Sequence, residues 1–222
     1  QTFIKIYVLY NFLEVLDKLM CSLGFDIIDY ATQMIAHAKY GAVIDRALSY
    51  IVVIGYSYIH SLIMLFQLIC LNVAVNAHNH LLFSLFISNQ IVEIKGSVFK
   101  KFDRKNLVYM CNHDARERFV FITMILCVGV SNSHFQPFSA IFKDLFFSLI
   151  SELVVDWIKH SFIVKFNHIN PKTYVSHLQH LAMSVMKIMY EKSSNSGCFL
   201  AKRFSFLPLP LFIMVMFYFL FS

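Results

Sequence analysis

Charge is what the sequence most conspicuously lacks. From Ala47 to Val92 it runs 46 residues without Asp, Glu, Lys or Arg, and over the whole chain charged residues make up 14% against 58% hydrophobic. About 20 apolar residues at 1.5 Å of rise each already cross roughly 30 Å of hydrocarbon, so such a stretch excludes an ordinary solvated segment. A mean hydropathy of +0.63 over 222 residues leaves more apolar surface than a soluble domain of this size could hide. The expected class is all-α: a polytopic helical membrane protein with interfacial amphipathic helices, its first partner the lipid bilayer.

Other scarcities narrow the chemistry. The five cysteines (Cys21, Cys70, Cys111, Cys127, Cys198) are odd in number, far apart and free of any Cys-x-x-Cys, so neither a disulfide framework nor a zinc knuckle is indicated. With six glycines and four prolines there is no Gly-rich phosphate loop, no Gly-x-Ser-x-Gly elbow and no long linker. His-Glu-x-x-His is missing as well, so the common nucleotide, hydrolase and zincin signatures are all absent, an enzyme is unsupported, and no cofactor or metal is expected. Residues 1–222 read as a single membrane domain, and the ends at Gln1 and Ser222 read as cut edges of a longer chain. No Asn-x-Ser/Thr sequon marks a luminal loop.

What charge there is sits beside apolar runs. The net +6 is modest and fits membrane topology and anionic lipid better than nucleic acid, which would need an extensive basic face and recognisable aromatic motifs. Residues 1–46 mix apolar and charged side chains, including Asp17 and Asp29, and predict helices packed at the interface or inside a bundle. Ala47–Leu71 is the clearest transmembrane helix. Leu81–Val92 is too short to span alone. Lys95–Arg118 carries seven Lys/Arg against three acids and reads as a cytosolic loop, as does Lys165–Arg203 with six against one. If both are cytosolic, residues 119–164 cross an even number of times, which predicts a helical hairpin. Asn170-Pro171 predicts a helix start, followed by an apolar stripe of Tyr174, Leu178, Leu181, Val185 and Met189. Phe204–Ser222 predicts the beginning of a last span.

Polar residues at membrane depth are the candidates for function. Glu152, Asp156 and His160 stand at i, i+4 and i+8 beside Lys159, so a helix would align them along one side. One reading is a proton or cation path, or a metal site of hard ligands. The favoured one is an internal salt-bridge set that locks this helix against the charged N-terminal segment, for example through Lys18 or Lys159 itself. Gln67, Asn72, Asn76 and Asn79 recur near one helical face and predict interhelical amide contacts, or the lining of a polar cleft. Cys111-x-His113 is insufficient for a metal. The basic loop around Lys95, Lys100 and Lys101, with Phe99 and Phe102, could engage anionic headgroups.

Several stretches carry a resemblance. Tyr10-Asn11-Phe12-Leu13-Glu14-Val15-Leu16-Asp17-Lys18-Leu19, Leu71-Asn72-Val73-Ala74-Val75-Asn76 with His78-Asn79, and Val92-Glu93-Ile94-Lys95-Gly96-Ser97-Val98-Phe99-Lys100-Lys101-Phe102 are followed in order by Glu117-Arg118-Phe119, residues 152–167 and Phe206-Leu207-Pro208-Leu209-Pro210-Leu211. Together they resemble the transmembrane anterior posterior transformation protein family, described as related to a plant pollen-tube guidance protein and a proposed cytomegalovirus gH receptor. Ser205 and Phe25 depart from its pattern, where Gly and Gln are expected. The resemblance implies a multi-pass endoplasmic reticulum membrane protein without catalytic activity. It would act as a scaffold or complex subunit with a luminal SUN-like partner, in protein folding, quality control or secretory maturation, with ciliary and developmental roles in animals. The alternative from the residues themselves is an ion or small-solute transporter lined by Glu152, Asp156, His160 and the Asn72–Asn79 face. An enzyme built on Glu152 and Asp156 ranks last.

Overall fold

The computed structural model describes residues 2–37, 43–76, 94, 96, 104–132, 138–191, 201, 204 and 206–221. Those residues form six helices: α1 (Thr2–His37), α2 (Val43–Asn76), α3 (Arg104–Asn132), α4 (Phe138–Phe166), α5 (Lys172–Glu191) and α6 (Pro208–Phe221). The all-α expectation holds among the described residues. The chain divides into two compact units, Gln1–Cys70 with Ser193–Ser222 and Leu71–Lys192.

In the first unit α1 runs antiparallel to the facing part of α2. His60 meets Asp17, Tyr56 meets the Met20 carbonyl, and Ser49 and Asp45 lie near Ala31 and Asp26, so the numbers fall along α2 as they rise along α1. Leu13, Cys21, Met64 and Leu68 are buried there, with Leu207, Leu211 and Met214 of the C-terminal segment. Gly24 permits the close approach: a Cβ there would run into the Tyr56 hydroxyl and the Leu207 side chain.

In the second unit α3 and α4 pack on each other. Asp114 and Arg118 meet Lys159 and Asp156, and Leu149 packs against Phe121 and Ile125, again in antiparallel order. This is the predicted hairpin, with one correction. Residues 104–118, expected to belong to a loop, are the first half of α3. Their charges did not break the helix because they are matched, His113 with Glu117 one turn on, and Asp114 and Arg118 across to α4.

α4 ends with His168 in the left-handed region (φ 50°), and the Ile169 N–H reaches back to the Val164 carbonyl at 3.1 Å, a Schellman-type closure. α5 then starts as the sequence predicts. The Asn170 side-chain oxygen accepts the Lys172 N–H at 3.0 Å, and Pro171 occupies the position where a missing N–H does no harm. Of the predicted stripe Leu178 is exposed and Tyr174, Leu181 and Val185 are half-buried, while Val175, Met183, Met186 and Tyr190 are exposed beside it.

The polarity of these helices is inverted relative to a soluble bundle. α1 buries Asp17 and Cys21 and exposes Ile4, Val8, Phe12, Val15, Leu19 and Leu23 at helical spacing, a lipid-like face that its charges did not lead one to expect. α2 buries Ser49, Ser57, His60, Ser61 and Gln67 while Ile44, Leu48, Ile51, Ile54, Phe66 and Ile69 point out. α4 presents Phe146, Phe147, Ile150, Leu153, Val154 and Trp157, the last 73% exposed. Continuous apolar faces of this extent are stable in hydrocarbon and aggregate in water. Among the described residues one helix, Val43–Ala74, is long and apolar enough throughout to cross a membrane. α6 is apolar but 14 residues long, about 21 Å at 1.5 Å per residue.

Two glycines give opposite expectations. Gly24→Ala should destabilise the protein by about 1–3 kcal/mol through overpacking. Gly55→Ala, where a Cβ meets nothing, should be neutral or stabilising by up to about 1 kcal/mol. Thermal unfolding of both variants in one detergent checks the contrast.

Candidate functional site

The most buried charges belong to the second unit. Lys159 of α4 is 1% exposed and Asp114 of α3 is 2% exposed. Lys159 Nζ lies 2.9 Å from Asp114 Oδ1 and 3.0 Å from Asp156 Oδ1, and Arg118 Nε lies 3.2 Å from Asp156 Oδ2. His160 Nε2 is 2.8 Å from Asp114 Oδ2 and its Nδ1 is 3.0 Å from the Tyr174 hydroxyl. Two cations face two carboxylates, and His160 completes the set between Asp114 and Tyr174. Burial pushes the Tyr174 phenol up to about 12, which keeps its proton in place.

Asp156, Lys159 and His160 therefore do form an internal salt-bridge set centred on Lys159, but the partners it shows are Asp114 and Arg118 of α3. Lys18, the N-terminal residue offered for it, lies 2.9 Å from Glu14. Glu152 is half-buried about one turn before Asp156. In the sequence Asp114 and Arg118 stand only as charges of a loop, Arg118 also within a family word, and Tyr174 only as part of an apolar stripe. Opposite charges on both arms of the expected hairpin were the available signal.

A second group is made of amides. Asn76 Nδ2 donates to Asn72 Oδ1 at 2.8 Å and to Asn132 Oδ1 at 3.1 Å, and Asn132 Nδ2 donates to Asn72 Oδ1 at 2.9 Å. Asn72 and Asn76 thus tie the end of α2 to the end of α3, a closed contact. Of the remaining predicted residues, Gly96 is exposed, and Asn79, Glu93, Lys95, Phe99, Lys100, Lys101 and Phe102 lie outside the described residues.

The first unit holds a third group. His60 Nε2 is 2.7 Å from Asp17 Oδ1 and 4.0 Å from Cys21 Sγ. On its other side His60 Nδ1 is 2.8 Å from the Tyr56 hydroxyl, which donates to the Met20 carbonyl at 2.8 Å. In the sequence Asp17 stood out only as a charge in residues 1–46 and Cys21 only as one of five scattered cysteines, and His60 carried no signal at all. The i, i+4 spacing of Asp17 and Cys21 was legible. Nothing in the sequence placed His60 opposite them.

Comparison with known proteins fits this membrane-type interior. The sequence profile of a eukaryotic membrane protein family matches residues 1–221. The chain belongs to that family. Human transmembrane anterior posterior transformation protein 1 homolog is 37% identical over 228 residues, covering 97% of this chain and 39% of its own length. The Caenorhabditis elegans Protein TAPT1 homolog is 37% identical over 224 residues, 97% of this chain and 32% of that protein. Endoplasmic reticulum membrane protein 65 of Schizosaccharomyces pombe is 36% identical over 192 residues, 78% of this chain and 30% of its own length. The chain thus spans roughly a third of the length of the curated relatives it matches. No solved structure matches it.

Family membership bears out the resemblance seen in the Tyr10–Leu19 and Val92–Phe102 words. It also gives the buried charges a setting, because ionisable groups at apolar depth persist only when paired. Lys159→Ala leaves Asp114 and Asp156 without their shared cation and should cost about 3–5 kcal/mol. Replacing Asp114, Asp156 and Lys159 together by Asn, Asn and Met should restore most of that loss, as unfolding in mixed micelles would show.

Proposed function

We propose that this chain is the membrane part of a non-enzymatic, multi-pass protein of the endoplasmic reticulum membrane that serves as a scaffold or complex subunit in protein folding, quality control or secretory maturation. The observation that carries the multi-pass reading is the inverted polarity of α1, α2 and α4, whose outer faces are apolar while Asp17, His60, Gln67, Asp156 and Lys159 are turned inward. Only α2 meets a strict length and hydropathy criterion among the described residues. α3 and α4 fall short because they carry the salt-bridge set, and a charge matched inside a hairpin does not prevent insertion. The endoplasmic reticulum assignment draws on the printed name of the S. pombe relative.

A scaffold fits the interior better than a path for solute. Asp156 is taken up by Lys159 and Arg118, Asp114 by Lys159 and His160, and Asn72, Asn76 and Asn132 bond one another. Groups held in this way stiffen a bundle and offer a passing ion no sites to hop between. The function then resides in a partner. We take that partner to be a membrane or luminal protein of the SUN-like kind, with anionic headgroups contacting the Lys95–Phe102 segment.

Extraction of the full-length protein from native membranes in mild detergent, followed by proximity labelling, tests this reading. A stoichiometric membrane or luminal partner is the expected result. A monomer with no enriched partner, together with ion or solute flux in liposomes that disappears in Asp156→Asn, would replace the scaffold by a transporter.

A further inference from the structure

Asp17, Cys21 and His60 bring three different donor atoms together inside the first unit. Asp17 and Cys21 share one face of α1, and His60 approaches from α2. All three residues are buried, and their ligand atoms lie within 4.8 Å of one another. A tetrahedral zinc ion, with bonds of about 2.0–2.3 Å to nitrogen, oxygen and sulfur, sets donor separations of about 3.3–3.7 Å. The observed 2.7 Å between His60 and Asp17 and 4.0 Å between His60 and Cys21 bracket that range, within reach of small side-chain rotations.

Counting hydrogens shows how the site is held. The Tyr56 hydroxyl has one proton and two close neighbours, the Met20 carbonyl and His60 Nδ1, each at 2.8 Å. A carbonyl only accepts, so that proton goes to Met20 and His60 Nδ1 must donate to the Tyr56 oxygen. Nε2 is then the nitrogen turned to Asp17 and Cys21, the arrangement metal-binding histidines adopt when their second nitrogen is anchored by an outer hydrogen bond. The 2.7 Å contact between Nε2 and a carboxylate oxygen also requires a proton between them. Gly24, one turn past Cys21, leaves the room into which the Tyr56 hydroxyl fits.

We propose that Asp17, Cys21 and His60 bind one zinc(II)-class divalent ion in exchange for two protons. The ion replaces the proton shared by His60 and Asp17 and the proton of the Cys21 thiol, forming bonds to Nε2, to a carboxylate oxygen and to Sγ. The imidazolium, carboxylate and thiol sum to zero charge. So do the zinc ion, neutral imidazole, carboxylate and thiolate, so neither state leaves a net charge in the apolar interior. Imidazole with thiolate and carboxylate suits zinc, whereas magnesium and calcium avoid sulfur. A second trio of close ligand atoms, His113, Asp114 and Glu117, is a poor rival because Lys159 already sits on Asp114.

The test is a cobalt(II) titration of the full-length protein in mild detergent after chelator treatment. One ion per chain should bind with a thiolate-to-cobalt charge-transfer band, be displaced by zinc(II), and release about two protons in weakly buffered solution. C21S should lose the band, and C70S and C127S should keep it. Y56F retains all three donors and should weaken binding by about 10- to 100-fold. Absence of the band in the wild type, or its survival in C21S, overturns the proposal. Should C21S fail to fold, by circular dichroism and gel filtration, Y56F decides: unchanged affinity overturns the site, and weakened affinity supports it.

Discussion

The 2.9 Å contact between Lys159 and Asp114, both side chains 2% exposed, sets the terms for the second unit. An ammonium group cannot be taken to such depth alone, and although Asp114 neutralises it, Asp156 less than one turn away brings a second negative charge. The set therefore grows until it is neutral: Asp156 meets Lys159, Arg118 meets Asp156, and His160 satisfies the remaining Asp114 oxygen while Tyr174 satisfies His160. Each addition fixes a further piece of fold. The register of α3 on α4 follows from Asp114 opposite Lys159, and the start of α5 is tied to α4 through Tyr174. A hairpin held by Leu and Phe contacts alone could slide, because one apolar contact resembles the next.

The same constraint explains what could be read from the sequence. Helix content and the span beginning near Ala47 were legible, because a 46-residue run without charge allows few other outcomes. The α5 start was legible because Asn170-Pro171 acts locally. Asp156, Lys159 and His160 were visible as a constellation, since i, i+3 and i+4 relations are fixed by one helix. Their partners were not, because Asp114 and Arg118 sit about 40 residues away in a segment whose charge density read as a loop. Charge density measures exposure only when charges are unmatched, and matching is a tertiary property. The outward face of α1 was hidden for a related reason: Asp17, Lys18 and Glu14 dilute its hydropathy average, although Ile4, Val8, Phe12, Val15, Leu19 and Leu23 keep helical spacing.

The two ionisable clusters reach neutrality by different routes, and this separates their roles. Around Lys159 the positive charges are an ammonium and a guanidinium, neither of which has a lone pair to offer a metal. That cluster can change only by breaking, which suits a lock. Around His60 the members are an imidazole, a carboxylate and a thiol, all of them metal ligands once the exchanged protons are gone. Neutrality there is kept by exchanging protons for metal, without moving a helix. The anchoring of Nδ1 by Tyr56 has its reason in this difference. A histidine serving only as a packed base gains little from a fixed tautomer, whereas a ligand needs Nε2 aimed at one point, and Gly24 admits the hydroxyl that aims it.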